Sequence, residues 1–236
     1  MSVVERADAS VPKVAELLVV CAHPDDESFG LGGVLGAFVD QGARVRVLCF
    51  THGEASTLGA GVALGERRAA ELEAAASALG VHGVHGVHGA RLHAYPDGCL
   101  AEVALEELVA RIAEEAGDAE LLLAFDVGGI TGHPDHIRAT EAALTFGTDH
   151  RLPVLGWALP EEVAAQLNAE LGTGFVGRRP DELDLTVAVD RARQRTAIAC
   201  HASQSTGNPV LWRRLELLGD TEHLRWLLPP PKPRTT

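Results

Sequence analysis

The chain has 236 residues, with 20 Lys and Arg against 33 Asp and Glu for a formal charge of −13, and it is 46% hydrophobic but only 4% aromatic. That length suits one globular α/β or all-β domain with a sizeable core, and the apolar content excludes general disorder. With so much acid and no Lys/Arg cluster, nucleic acid and anionic membrane surfaces are excluded as partners, and a small neutral or cationic ligand is expected.

Apolar runs such as Leu17 to Ala22 and Leu121 to Phe125 are far shorter than the ~20 residues that cross a bilayer. Glu5, Asp8, Lys13 and Glu16 are scattered through the N-terminus, which therefore does not read as a signal peptide, and a cytoplasmic location is expected. Cys21, Cys49, Cys99 and Cys200 are widely spaced with no CxxC, the pattern of reduced structural cysteines.

Residues 1–13 read as a loose leader. Leu17 to Ala22 is a continuous apolar run, as in a strand buried on both faces. Ser28 caps an expected helix that Gly42 ends, and Arg44 to Phe50 is the next strand, completing a β-α-β unit. Thr51 to Gly65 is a Gly, Ala and Thr-rich loop, and a helix is expected over 66–79 with Gly80 as its stop.

Three Val-His-Gly repeats then span 81–89; three-residue spacing would spread the imidazoles around an extended chain, so no metal role is given to them. Helix 101–116, strand 120–125, a glycine-rich loop over 126–136, helix 137–147 and strand 153–159 follow. The last third continues as helix 161–171, strand 183–189 and helix 191–201, and ends in a proline-rich tail, 229–236. The whole, 1–236, reads as a single α/β domain: a Rossmann-like three-layer fold with a mainly parallel sheet and its site at the carboxyl ends of the strands.

Two loops at such strand ends carry the chemistry: Ala22-His23-Pro24-Asp25-Asp26-Glu27 after the first strand and Gly132-His133-Pro134-Asp135-His136 after a later one. Three consecutive acids beside a buried strand repel one another and cost desolvation unless something positive compensates, and a divalent cation does so. A turn at Pro24 brings His23 and Asp26 to one point and leaves Asp25 free. His136 then completes a His2Asp set with room for water, the pattern of catalytic zinc; iron, cobalt and manganese accept similar ligands. A lone Asp here would read as a helix cap, but five such residues at two strand ends do not.

Those two motifs resemble the LmbE-like, or PIG-L, family of zinc-dependent N-acetylglucosaminyl deacetylases. The resemblance extends through Arg68-Ala69-Ala70-Glu71-Leu72, Pro96-Asp97-Gly98 and His201-Ala202-Ser203-Gln204. It implies a Rossmann-like fold, one Zn2+ on His23, Asp26 and His136, Asp25 as general base, and His133 as acid or electrostatic partner. It further implies Asp135 as the orienting carboxylate behind them, and Arg68, Asp97 and Asp126 as groups for sugar hydroxyls. The implied partner is a small N-acetylated amino-sugar conjugate, from which acetate, or a longer acyl group, and a free amine are released; self-association is left open.

One position departs from the family pattern. Mycothiol-pathway deacetylases resemble one another in a Tyr two residues before the second motif's first His, where this chain has Thr131, and its single tyrosine is Tyr95. Either a donor is missing or another side chain, with His201 the candidate, supplies it. Three other readings are weighed. A dinucleotide site fails because Leu35 stands where G-x-G-x-x-G, started at Gly30, needs its last glycine, and because acids occupy the phosphate position. A metal-dependent hydrolase of another bond would need more Arg or Lys than Arg68 and Arg138 for phosphate. A non-catalytic metal-containing relative has no use for an unligated Asp25.

Overall fold

The alternate side chains of the apolar runs are taken up by two faces of one sheet. In the computed structural model, which describes residues 10–59, 63–81 and 90–231, the elements in chain order are β1 (Glu16–Cys21), α1 (Asp26–Phe29), α2 (Gly32–Asp40), β2 (Arg44–Thr51), α3 (Leu64–Leu79), β3 (Arg91–Tyr95), α4 (Leu105–Ala116), β4 (Leu121–Phe125), the single kinked turn α5 (Gly129–Gly132), α6 (Pro134–His150), β5 (Val154–Trp157), β6 (Leu159–Pro160), α7 (Glu161–Leu171), β7 (Gly177–Arg178), β8 (Leu185–Ala188), α8 (Arg191–Cys200), α9 (Ala202–Ser205), α10 (Pro209–Leu218) and β9 (Thr221–Leu228). The Val-His-Gly histidines, most of the leader and the end of the proline-rich tail lie outside the described residues.

The main sheet has the order β3-β2-β1-β4-β5-β9-β8. The first five strands are parallel, and β9 and β8 add an antiparallel edge. Leu17, Val19 and Cys21 face one layer with Val34, Leu35 and Phe38 of α2 and Leu72 and Leu79 of α3. Leu18, Val20 and Ala22 face the other, with Leu108 and Ile112 of α4 and Ala142 and Phe146 of α6. Burial on both faces is why these strands read as unbroken apolar runs. After β1 the chain winds to β2 and β3 on one side, then crosses to β4 and β5 on the other. The carboxyl ends of β1 and β4 thus flank the switch point where open α/β sheets hold ligands.

Several boundaries differ from the sequence expectation. The helix expected to run unbroken to Gln41 is split, because at Leu31 the ladder slips: its N–H bonds Asp26 O, as Gly30 N–H does. The helix expected from Ile137 begins at Pro134, with His133 as its N-cap accepting from Asp135 N–H, which places His136 in the first turn. Several elements have no counterpart in the sequence expectation, β3, β9 and α10 being the longest of them. The edge strand β3 is only half buried and shows no apolar run. β9 buries Glu222 and Leu224 but half-exposes its other residues, and α10 follows Pro209 in a segment where polar residues interrupt the pattern. All four cysteines are free.

Candidate metal and catalytic site

The loop after β1 is folded around its own acid. Asp26 Oδ2 accepts the N–H groups of Ala22 and His23, both at 2.9 Å, which ties the chain into a tight turn and leaves Oδ1 free to face outward. That turn forces Asp25 to φ 124°, a backbone region that costs a non-glycine residue about 1–3 kcal/mol and persists only when its surroundings over-determine it. They do. Glu27 Oε2 accepts Asp25 N–H at 3.0 Å, and the buried Arg68 guanidinium meets Asp25 Oδ2 at 3.0 Å while also donating to Pro24 O and Gly53 O. Glu27 is held in turn by Ser28 Oγ and by His201 Nε2 at 2.6 Å, an ion pair with no exposed side-chain surface.

The loop after β4 delivers the second motif through α5 and the first turn of α6. His136 Nδ1 faces Gly129 O at 3.2 Å; a carbonyl only accepts, so Nδ1 carries the proton and Nε2 presents a lone pair. His23 is fixed in the opposite sense. Its Nε2 meets Asp97 Oδ1 at 3.0 Å and Asp135 Oδ2 at 3.3 Å, so the proton is on Nε2 and the lone pair is on Nδ1. Asp135 is fully buried and also accepts Gly98 N–H at 2.8 Å and Leu100 N–H at 3.0 Å.

The ring nitrogens and the Asp26 carboxylate converge. His23 Nδ1 and His136 Nε2 are 3.1 Å apart, His136 Nε2 and Asp26 Oδ1 are 3.1 Å apart, and His23 Nδ1 is 3.9 Å from Asp26 Oδ2. Donors placed about 2.1 Å from a tetrahedral ion stand roughly 3.4 Å from one another, and the two 3.1 Å separations about His136 Nε2 are near that spacing. Two imidazole lone pairs and a carboxylate oxygen meeting at one point require positive charge between them. Although burial works against it, hydrogen bonds to Asp135 and Asp97 and the charges of Asp26 and Asp25 push His23 up to about 10. Against the same burial, the His136 and His23 charges hold Asp26 well below the usual carboxylate range. Asp135 and Asp97 behind His23 have the arrangement by which carboxylates orient metal-ligating histidines. His133 stands by the same point, its ring centroid 4.8 Å from that of His23 and 4.9 Å from that of His136.

These groups line one cavity of about 560 Å³, within the range of small-molecule sites. His23, Asp25, Asp26, His133 and His136 reach it, as do Arg68 and Asp97. Asp135 lies behind His23. Asp126, expected to read sugar hydroxyls, is not among the lining residues: its buried carboxylate is engaged by Arg178 at 2.5 Å and Arg225 at 3.5 Å. His201, the candidate to replace the absent Tyr, is committed to Glu27 and is likewise not in the lining. Thr131 does line the cavity, and so do Gln204 and Arg214, which the sequence reading gave no role. Gln204 was visible only as the end of a weak motif; Arg214 carried no signal at all. His52 and Glu54 border a separate surface concavity with Gly65 and Tyr95.

A seven-stranded α/β sheet thus carries this histidine and carboxylate cluster at its switch point, and comparison with known proteins places it. Residues 18–146 match the family model described as GlcNAc-PI de-N-acetylase, PIG-L. The chain belongs to that family. It is 34% identical over 188 residues to the 1D-myo-inositol 2-acetamido-2-deoxy-alpha-D-glucopyranoside deacetylase of Kineococcus radiotolerans, a match covering 63% of this chain and 50% of that one. The protein of the same description from Thermobifida fusca is 30% identical over 242 residues, covering 80% of this chain and 82% of the relative. The chain thus spans half the length of the first relative and about four fifths of the second. Among solved structures, the A40926 pseudoaglycone deacetylase Dbv21 has the same fold, with a TM-score of 0.64 at 23% identity over 90% of this chain and 96% of that one. Among the described residues no helix is long and apolar enough to cross a membrane.

Proposed function

We propose that this chain, as one catalytic domain in the cytoplasm, removes the acetyl group from the 2-amino nitrogen of a GlcNAc-type conjugate, giving acetate and a free amine. One divalent cation, zinc by the nitrogen and oxygen character of the donors, is assigned to His23, Asp26 and His136. When bound, that cation supplies Lewis acidity to the amide carbonyl and acidifies water toward neutral pH.

The chain's own residues supply the rest. Asp25 takes the proton of the attacking water; burial pushes its pKa up to about 6, against the opposing charge of Arg68, which suits a base working near neutrality. Arg68 and Glu27 fix the carboxylate in one orientation. His133 donates to the departing nitrogen: burial, then the charges of His136 and His23, hold it below the ordinary imidazole value, so its proton leaves readily. Asp135 and Asp97 keep His23 in the tautomer that turns Nδ1 to the cation, and the sugar hydroxyls are assigned to the side of the cavity lined by Asp97 and Arg68.

The observation that carries this reading is the strained Asp25, held beside a three-donor cluster that it does not join. A binder of metal has no need of it. Incubating the zinc-loaded protein with a panel of N-acetylglucosaminides should release primary amine from at least one member. Release from none, with one metal bound per chain, would remove the activity and leave the metal site.

A further inference from the structure

Arg214 is a buried cation without an anion of its own among the described residues. The other buried arginines each have a carboxylate: Arg46 has Glu16 at 3.7 Å, Arg68 has Asp25 at 3.0 Å, and Arg191 is paired with Glu222. Arg214 is 8% exposed, donates Nη2 to Phe29 O at 2.7 Å, and stands 5.3 Å over the Trp157 ring; its Nε has no acceptor. The surrounding acids are committed elsewhere: Glu222 to Arg191 and Trp157, Asp25 to Arg68, Asp26 to two backbone N–H groups and His136. A guanidinium withdrawn from water without a counter-charge is costly unless something compensates it. In a chain of charge −13, an uncompensated buried cation is out of keeping with the whole.

Its location says where the compensation comes from. Arg214 lines the same cavity as the histidine cluster, together with Phe29, Phe125, Ile130 and Phe175. Phe125 ends β4 and Trp157 ends β5, on one side of β1 in the strand order, whereas Ala55 and Asp97 follow β2 and β3 on the other. The cavity therefore has two unlike ends on either side of His23: a polar one and an aromatic one containing a single guanidinium.

We propose that Arg214 makes the aromatic end a carboxylate-binding subsite. Its planar fork matches a carboxylate, and the aromatic and aliphatic walls strengthen the pairing by excluding water. Two sources of that group exist. One is the acetate that hydrolysis releases; the other is a carboxylate on the far end of a longer N-acyl group. The inference rests on the deacetylase reading for its orientation, since it sets the sugar at the polar end.

The two sources separate in two measurements on zinc-loaded protein, comparing wild type with Arg214→Met. Calorimetric titration with acetate, and with acetamide as the neutral isostere, tests the product. Acetate binding about tenfold weaker in the variant, with acetamide unchanged, is the expected result. The ratio of kcat/KM for N-succinyl- over N-acetylglucosamine tests the substrate, and a fall of about tenfold in that ratio is expected if the acyl group carries the carboxylate. Arg214 dependence in either arm supports the subsite and names its source; acetate affinity and substrate ratio both within about twofold of wild type overturn it. Should Arg214→Met not fold, Arg214→Lys keeps the charge without the fork and is read by the same criteria. The acetate arm needs no turnover, so acetate binding that depends on Arg214 in a protein cleaving no amide would sink the deacetylase reading alone.

Discussion

The same tripeptide, His-Pro-Asp, occurs at the ends of β1 and β4, and the fold uses the two copies in opposite ways. In the first, the histidine is the candidate ligand and Asp25 is twisted to φ 124° into the cavity against Arg68. In the second, His133 caps α6, Asp135 is fully buried where it accepts two backbone N–H groups and supports His23, and the candidate ligand is His136 one residue further on. The difference lies in the backbone. Before α1 the chain wraps around the Asp26 carboxylate, whereas Pro134 starts α6 directly. Identical side chains thus become a strained, cavity-lining carboxylate in one loop and a buried support in the other. Local sequence alone does not assign a role.

Exchanging each aspartate for asparagine should separate the two roles. Asp25→Asn should lower kcat on the order of 10²–10⁴-fold with metal content unchanged, measured by steady-state kinetics and elemental analysis on one preparation. Asp135→Asn should instead weaken metal affinity about 10–100-fold, seen in competition with a chelating dye, while enzyme saturated with metal loses less activity than the Asp25 variant. If the two variants behave alike, the loops are not divided as described. The pH profile sharpens the contrast. Asp25 works deprotonated, so kcat/KM should be sustained above pH about 6 and fall about tenfold per unit below it, and this limb should be absent from the residual activity of Asp25→Asn. The smallest effect on turnover is expected at Asp126, in the loop between β4 and His133. Asp126→Asn should lower Tm by depriving Arg178 and Arg225 of their partner, with KM within about twofold of wild type. A large rise in KM would return Asp126 to the sugar-binding set.

The fold was legible where burial leaves a continuous signature, as in β1, β2 and β4, whose residues pack on both faces. It is illegible at β3 and β9, where half-exposed edges mix polar and apolar residues, and at the start of α6, where Pro134 falls within the glycine-rich stretch expected as loop but is the first residue of a helix. Of the site, the two motifs named residues that the fold brings to one cavity, with Asp135 behind them against His23, because clustered acids beside a buried strand need an explanation. Asp126 and His201 misled because proximity in sequence to a motif does not say which way a side chain turns: one goes to Arg178, the other to Glu27. Arg214 could not have been found. An arginine in an amphipathic helix reads as solvated until the fold shows it bonded to Phe29 O, with no carboxylate of its own among the described residues.

The account stands most directly on whether Asp25 serves a cation that it does not hold. Wild type and Asp25→Asn, each loaded with zinc and dialysed, should both retain one metal per chain, and only wild type should release amine from an N-acetylglucosaminide. Loss of the metal with Asp25, or amine release by the variant at the wild-type rate, would contradict it.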